Sequence, residues 1–168
     1  MTTNAPLEQR TVDELMTRDL LTIAAEESVL MAWELMCRAG VHHLPVTDDE
    51  GAFLGVVDAQ TLTAEWHAAT PCDARRPVTT LLPSRPPVTV RPTATVAEAA
   101  RAMLEADRDH APVTDERGVL LGLITARDLI AALAGVRREI PERAGGMPSL
   151  YRIEPVLPAR GGTAADGG

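Results

Sequence analysis

The residue types best suited to bind a small ligand occur together at Thr125, Arg127 and Asp128. They follow the apolar run 119–124, typical of a buried strand, and open a stretch in which apolar residues recur at helical spacing. A helix N-terminus presents unpaired N–H groups and the positive end of the helix dipole, which suit phosphate. The Asp128 carboxylate, one turn into the helix, can accept hydrogen bonds from two hydroxyl groups. The Arg127 guanidinium lies between Thr125 and Asp128 in the sequence and can turn towards phosphate.

The same residues also have a simpler interpretation as a helix cap. Thr125, followed three residues later by Asp128, is a serviceable capping pair with its carboxylate near the positive end of the dipole. Many helices begin in this way and bind no ligand. The residue types alone leave both interpretations open.

A second copy of this segment lies earlier in the chain. A shift of 67 residues places one half of the sequence on the other without a gap. In the best-matched stretch, His43, Pro45, Val46, Thr47 and Asp48 fall on His110, Pro112, Val113, Thr114 and Asp115. Such agreement indicates a duplicated unit of about sixty residues.

Each unit predicts the element order β-α-β-β-α, which gives an α/β fold. The predicted strands are residues 21–24, 43–47 and 53–57 in the first unit, and 88–91, 110–114 and 119–124 in the second. One predicted helix opens after Ser28 or Thr95, and a second closes each unit over residues 58–67 or 125–133. Thr95 and Glu98 are expected to form a capping box, and acidic turns ending in Gly51 and Gly118 predict hairpins.

The units divide the chain into five segments. These are an N-terminal tail (1–10), the first repeat (11–67), a linker (68–76), the second repeat (77–134) and a C-terminal tail (135–168). The C-terminal tail is rich in Pro and Gly, so we expect it to be largely disordered or only weakly docked. Tyr151 is its candidate anchor.

The composition excludes several classes of function. A formal net charge of −8 disfavours a nucleic-acid partner, because phosphate backbones are bound by basic surfaces. The chain contains no Lys, which excludes a lysine Schiff base and a lysine-tipped phosphate loop. No apolar run reaches membrane-spanning length and residues 1–10 are polar, so we expect a cytoplasmic protein with no membrane partner.

Nothing in the sequence predicts an enzyme, and we expect no catalytic residue, metal site or required cofactor. The known hydrolase, metalloprotease and phosphate-loop motifs are missing, and none of the three serines has a placed His partner. Cys37 and Cys72 fit neither a metal-binding pair nor a disulfide framework. Cys37 falls in mid-helix, and we expect it to be a buried small apolar residue.

The duplicated motifs resemble those of tandem cystathionine-β-synthase-type (CBS) repeats, which form a Bateman module. The most specific pieces are His43-Leu-Pro-Val-Thr-Asp with Gly55-Val-Val-Asp, and His110-Ala-Pro-Val-Thr-Asp with Gly122-Leu-Ile-Thr-Ala-Arg-Asp. The resemblance implies two repeats related by a pseudo-two-fold axis, with clefts between them. It also implies an adenosyl ligand (AMP, ADP, ATP or S-adenosylmethionine) and pairing of two modules into a homodimer.

Carried over from that family, the ligand site centres on the second repeat. Thr125 would contact phosphate, with Arg127 nearby, and Asp128 would hold the ribose hydroxyls. The strand around Ala111 and Pro112 would supply backbone contacts to the base, beside the approach at Pro87 and Val88. His43 and His110, which precede the matched prolines, would reach phosphate or else be ordinary solvent-facing or interface histidines.

The first repeat departs from the motif. Asp58 stands where Thr or Ser is expected, and Thr61 stands where Asp is expected. Asp58 is still a good N-cap, but its carboxylate would repel a phosphate by roughly 4 kcal/mol as an upper estimate. We therefore expect the cleft of Asp58, Thr61 and His43 to be degenerate and the second repeat to carry the tighter site.

The expected function is a regulatory module that senses an adenosyl ligand and passes its state to an unknown protein partner. The alternative is a ligand-free dimeric scaffold or interaction protein whose nucleotide site is vestigial. Trp33 and Trp66 are expected to be core or dimer-interface anchors.

Overall fold

The computed structural model of the chain describes residues 6–68, 73–136 and 150–152. The first repeat consists of strand β1 (Leu20–Ala24), helix α1 (Val29–Ala39), strands β2 (His43–Thr47) and β3 (Phe53–Asp58), and helix α2 (Ala59–Ala68). The second consists of helix α3 (Val96–Ala106), strands β4 (His110–Thr114) and β5 (Leu120–Thr125), and helix α4 (Ala126–Leu133). A short strand, β6 (Leu150–Arg152), lies in the C-terminal segment. The predicted mixed α/β architecture of two similar units is confirmed.

Local signals in the sequence place the ends of these elements. The Ser28 hydroxyl accepts a hydrogen bond of 3.1 Å from the Met31 N–H at the start of α1. Thr95 and Glu98 form the predicted capping box at the start of α3. Both predicted hairpins are present, and their turns use Gly51 and Gly118 at φ values of 84° and 82°, which a side chain would strain.

The first strand of the repeat differs between the two units. In the first repeat, β1 pairs in parallel with β2, and Ile23 lies opposite Val46. In the second, the predicted strand 88–91 is reduced to an isolated parallel bridge between Val90 and Val113. The prolines at positions 86, 87 and 92 have no N–H to donate, so this segment cannot extend the ladder.

Strand β6 was not predicted. It pairs in parallel with β1, with Tyr151 opposite Leu21, and completes a sheet of order β3-β2-β1-β6. Strands β4 and β5 form a separate antiparallel pair. Most of the tail for which disorder is predicted, residues 137–149 and 153–168, lies outside the described residues.

Each repeat contributes a short segment to the hydrophobic core of the other repeat. Val12 and Met16 precede β1 in the chain but pack in the core of the second repeat, with Val113 and Ile124. Val78 and Leu81 precede α3 at the start of the second repeat but pack in the core of the first. Backbone hydrogen bonds fix both crossings, from Val12 N–H to Ala94 O at 2.8 Å and from Val78 N–H to Glu27 O at 2.7 Å.

Helix α1 turns one face inward and another outward. Ala32, Leu35 and Met36 are buried, whereas Cys37 is exposed, so the prediction of a buried Cys37 is wrong. One residue along a helix rotates a side chain by about 100°, which carries Cys37 off the buried face. Trp33 is 45% exposed and lies outside the core. The Trp66 side chain and Cys72 lie outside the described residues.

No helix in the described ranges combines the length and the apolar character needed to cross a membrane.

Candidate functional site

A cleft between the repeats contains the predicted Thr125, Arg127 and Asp128, and we call it the Thr125 cleft. Its volume is about 520 Å³, within the range of small-molecule sites. The start of β1 forms one wall, and the end of β5 with the first turn of α4 forms the other. The lining residues used below are Asp19, Leu20, Leu21, His43, Asp109, Leu123, Thr125, Arg127 and Asp128.

Thr125 and Asp128 are locked together at the start of α4. The Thr125 hydroxyl and N–H both donate to Asp128 Oδ2, at 2.7 and 2.9 Å, and the Asp128 N–H donates to Thr125 Oγ1 at 3.3 Å. This is the capping box that the simpler interpretation predicted. Asp128 is buried and Arg127 is exposed. The same pair therefore caps the helix and lines the cleft.

A second cleft, which we call the Arg108 cleft, lies between β3 of the first repeat and α3 and β4 of the second. Its volume is about 310 Å³. The lining residues used below are Leu54, Gly55, Val56, Arg85, Pro87, Val88, Glu105, Arg108, His110, Ala111 and Pro112.

The predicted site is therefore divided. Thr125, Arg127 and Asp128 line the Thr125 cleft, whereas the predicted base contacts Pro87, Val88, His110, Ala111 and Pro112 line the Arg108 cleft. His43, which was grouped with Asp58, lines the Thr125 cleft. The residues grouped as one site per repeat therefore line two clefts, and which of them contact a ligand stays a prediction.

The division follows from how the repeats meet. An antiparallel bridge joins Thr17, just before β1, to Leu123 in β5, with N–H···O distances of 2.8 and 2.9 Å. The start of α4 in the second repeat thus faces the start of β1 in the first repeat. Each cleft is built from both repeats, and residues close in one repeat can face opposite clefts.

Close approach at this bridge requires a glycine. A Cβ on Gly122 would lie 2.7 Å from Met16 Sδ and 2.9 Å from the backbone oxygen of Thr17. The matching Gly55 would meet only the side chain of Leu82, at 2.9 Å. The motif glycine therefore has a stricter packing role beside the Thr125 cleft.

Asp58 occupies the position in the first repeat that matches Thr125. It is buried, and its Oδ1 accepts a hydrogen bond of 2.6 Å from the Thr61 N–H, as its predicted role of N-cap requires. Its Oδ2 accepts a hydrogen bond of 2.8 Å from Arg108 Nη1 of the second repeat. The repulsion predicted for a phosphate is therefore offset by a guanidinium that the sequence did not point to. Thr61 is not among the residues that line the Arg108 cleft.

His43 and His110 meet where the two clefts adjoin. Their ring centroids lie 4.6 Å apart. His43 Nε2 and His110 Nδ1 are each 3.0 Å from the same oxygen, Asp109 Oδ1. The two imidazoles are 13% and 7% exposed, so they are interface histidines and not solvent-facing ones.

The environment shifts the pKa values of two of these groups. Partial burial raises the pKa of Asp109, but hydrogen bonds with His110 and His43 outweigh it and leave the pKa below its usual value. Burial lowers the pKa of His110 below its usual value, and the hydrogen bond with Asp109 offsets this only in part. Both shifts favour an ionised carboxylate beside a neutral His110 at neutral pH.

The two clefts carry different charged groups. The guanidinium groups of Arg85 and Arg108 line the Arg108 cleft together with one carboxylate, Glu105. The Thr125 cleft has Arg127 and three carboxylates, Asp19, Asp109 and Asp128. Guanidinium groups are the better partners for phosphate oxygens, so the Arg108 cleft suits a phosphate.

Sequence reasoning missed Arg108 and Asp109. Both lie between α3 and β4, in a stretch where the repeats do not match, since Val41 and His42 occupy these positions in the first unit. The sequence signal that could have identified Arg108 and Asp109 is that they occupy mismatched positions directly before the matched His43 and His110. At such positions the two clefts of a duplicated fold can become different.

Comparison with known proteins agrees with this architecture. A profile described as the CBS domain matches residues 12–67 and 78–135. A CBS domain-containing protein of Dictyostelium discoideum is 26% identical over 141 residues, which cover 79% of this chain and 97% of that protein. Inosine-5'-monophosphate dehydrogenase of Mycobacterium tuberculosis is 28% identical over 116 residues, but these cover 68% of this chain and only 21% of the enzyme.

Solved structures show the same fold. The crystal structure of CBSX2 in complex with AMP is 32% identical, covers 76% of this chain and 98% of that chain, and has a TM-score of 0.64. The CBS domain pair of protein MJ0100, in complex with 5-methylthioadenosine and S-adenosyl-L-methionine, is 17% identical. It covers 76% of this chain and 98% of that chain with a TM-score of 0.66. The profile matches more than half of the chain, in two tandem copies, and the chain belongs to the CBS domain family.

Proposed function

We propose that this protein is a regulatory module that binds an adenosyl ligand between its repeats. The observation that carries the proposal is the Thr125 cleft, where the capped start of α4 lines a cavity large enough for a nucleoside. The relatives support the same class of ligand, since CBSX2 was solved with AMP and the MJ0100 pair with S-adenosyl-L-methionine.

In the Thr125 cleft, the wall opposite Asp128 comes from the first repeat. Leu20, Leu21 and His43 line it, and these are the sequence equivalents of Pro87, Val88 and His110. The apolar side chains of Leu20, Leu21 and Leu123 suit an adenine ring. The Asp128 carboxylate suits the ribose hydroxyls, and Thr125 with Arg127 lies where a further polar group would enter.

The Arg108 cleft would take the more strongly anionic ligand. Pro87, Val88, Ala111 and Pro112 provide its apolar and backbone surface, and Arg85 and Arg108 provide charge for a phosphate. We infer that AMP, ADP or ATP favours this cleft. A less anionic adenosyl ligand such as S-adenosylmethionine favours the Thr125 cleft. This reverses the expectation that the Thr125 cleft is the tighter phosphate site.

The alternative of a ligand-free scaffold has one observation in its favour. The ion pair between Arg108 and Asp58 joins the two repeats directly. A fold held in this way does not need a nucleotide to keep its halves together. Under this alternative the clefts would be structural remnants.

We further propose that two copies pair through the exposed apolar face of α4. Ile130 and Leu133 are 66% and 78% exposed, and exposed apolar side chains that lie together are typical of an interaction surface. They flank a groove with Leu7, Val96 and Leu129. A dimer would shield this face, and Leu133→Glu should then give a monomer by light scattering at a concentration at which the natural chain is dimeric. A natural chain that is monomeric at micromolar concentration contradicts this.

Thermal unfolding with a ligand panel tests the adenosyl proposal. At one hundred times its dissociation constant, a ligand adds about 2.7 kcal/mol to stability, which corresponds to a shift in Tm of roughly 5 to 10 °C. We expect AMP, ADP, ATP or S-adenosylmethionine to produce such a shift and GTP to produce less. Native mass spectrometry of the purified protein identifies any ligand already bound. No shift with any adenosyl ligand at millimolar concentration would favour the scaffold.

Signal transfer, the lack of catalysis and the cellular location stay predictions. Signal transfer would pass through a protein partner, and the chain itself would carry no catalytic function. The cytoplasmic location predicted from the composition also stays a prediction.

A further inference from the structure

Three atoms that commonly bind transition metals converge where the clefts adjoin. They are His43 Nε2 from the first repeat, and Asp109 Oδ1 and a ring nitrogen of His110 from the second. All three residues can place one ligand atom within 4.8 Å of the others. No spacing in the sequence indicates this cluster, because His43 lies 66 and 67 residues before Asp109 and His110.

The distances suit a small metal ion. Zinc binds imidazole nitrogen and carboxylate oxygen at about 2.0 to 2.2 Å, so two ligands at a tetrahedral angle lie roughly 3.3 Å apart. His43 Nε2 and His110 Nδ1 are each 3.0 Å from Asp109 Oδ1. All three ligand atoms lie within 4.8 Å of one another, so side-chain rotation would let an ion replace the protons that these hydrogen bonds share.

The surroundings suit metal entry and a stable site. The Asp109 side chain is 67% exposed and gives an ion access from solvent, whereas the two imidazoles are mostly buried and held by packing. His43 and His110 begin strands that are paired, β2 with β3 and β4 with β5, so the fold fixes the backbone of both histidines. The site therefore combines an open side with a rigid base.

We propose that His43, Asp109 and His110 bind a divalent transition-metal ion, with Zn²⁺ as its best representative, and that the ion links the two repeats. Imidazole ligands favour zinc, nickel or cobalt over magnesium, which prefers oxygen ligands in octahedral geometry. Three protein ligands leave one position of a tetrahedral ion open to water or to a bound ligand. This site does not depend on the adenosyl proposal.

The test uses the full chain, free of any histidine tag and dialysed against a chelator. Titration calorimetry with ZnCl₂ at pH 7.5 should show one high-affinity site per chain, and zinc should raise Tm by several degrees. MgCl₂ at the same concentration should not raise it. Mutation of residues that only hydrogen-bond to metal ligands changes metal affinity by about 10- to 100-fold. Asp109→Asn changes a ligand itself and should weaken zinc binding at least tenfold.

Two further variants make the result decisive. His43→Gln removes a ligand from the other repeat and should weaken zinc binding to a similar extent. His42→Ala removes the exposed neighbouring imidazole and should leave binding unchanged. The proposal is overturned if the natural chain binds no zinc, or if the losses fall on His42→Ala instead of on Asp109→Asn and His43→Gln.

Discussion

The Thr125 cleft and the Arg108 cleft descend from one repeated pattern, yet they present different chemistry. At matching positions, Thr125 pairs with a carboxylate of its own helix, whereas Asp58 pairs with a guanidinium from the other repeat. A hydroxyl and a carboxylate have changed places, and Arg108 compensates for the change. The duplicated fold therefore keeps its hairpins and helix starts and changes the polar groups that its clefts present through a few side chains at the junction.

The largest effect on ligand binding is expected in the Thr125 cleft. Asp128→Ala should weaken binding of S-adenosylmethionine by about ten- to a hundredfold, or about 1.5 to 3 kcal/mol, because the ribose hydroxyls lose a charged acceptor. Titration calorimetry measures it. Asp128→Asn is the matched control for folding, since Asn also serves near a helix start. If Asp128→Ala binds as the natural chain does, Asp128 is only a cap.

The glycines beside the two clefts should differ in their tolerance of a methyl group. Gly122→Ala should cost about 1 to 3 kcal/mol of stability, because its Cβ would meet backbone at Thr17. Gly55→Ala should cost less, because only the flexible end of Leu82 has to move. Urea unfolding of both variants compares them directly. Equal losses would mean that the Thr17–Leu123 bridge does not set the shape of the Thr125 cleft.

A somewhat smaller effect should follow the loss of Arg108. Arg108→Ala should lower AMP affinity about tenfold and leave adenosine affinity nearly unchanged, since only AMP carries the phosphate. The buried Asp58 would also lose a partner, at a cost of about 1 to 3 kcal/mol in unfolding free energy. The double variant with Asp58→Thr should recover stability. Equal losses for AMP and adenosine would show that Arg108 acts on folding and not on phosphate.

The smallest effect is expected at Thr61, the sequence equivalent of Asp128. The Thr61 N–H donates a hydrogen bond to Asp58, and Thr61 is not among the residues that line the Arg108 cleft. Thr61→Ala should therefore change the affinity of either ligand by less than about threefold, below about 0.7 kcal/mol. Calorimetry under the same conditions as for Asp128→Ala gives the comparison. A larger loss would place a ligand contact in the first repeat that the present geometry does not provide.

The repeat and its elements could be predicted because they depend on local signals. Hairpin glycines, helix caps and alternating apolar residues act within a few positions of the chain, and all of them appear where expected. The strand predicted at 88–91 is reduced to one bridge, because the flanking prolines at positions 86, 87 and 92 lack the donors that would extend a ladder.

Individual site residues could be predicted from the sequence, but their grouping into clefts could not. Thr125 and Asp128 do meet, since they share one helical turn, but Ala111 and Pro112 face the other cleft. Which repeat supplies the opposite wall depends on packing between the units, which no local pattern encodes. Arg108 and Asp109 bind Asp58 and His43 of the other repeat, so their partners depend on the same packing between the units.

The exchange of segments between the two cores has a consequence for the independence of the halves. A fragment ending before residue 73 would keep Val12 and Met16 but lose the interior that buries them, and would lack Val78 and Leu81 from its own interior. Each apolar side chain left uncovered costs about 1.5 to 3 kcal/mol, which is a large part of the stability of a small domain. A severed chain would therefore behave as two complementary fragments that fold together and not as two autonomous domains. Any single-repeat ancestor would have met the same requirement by associating with a second copy of itself.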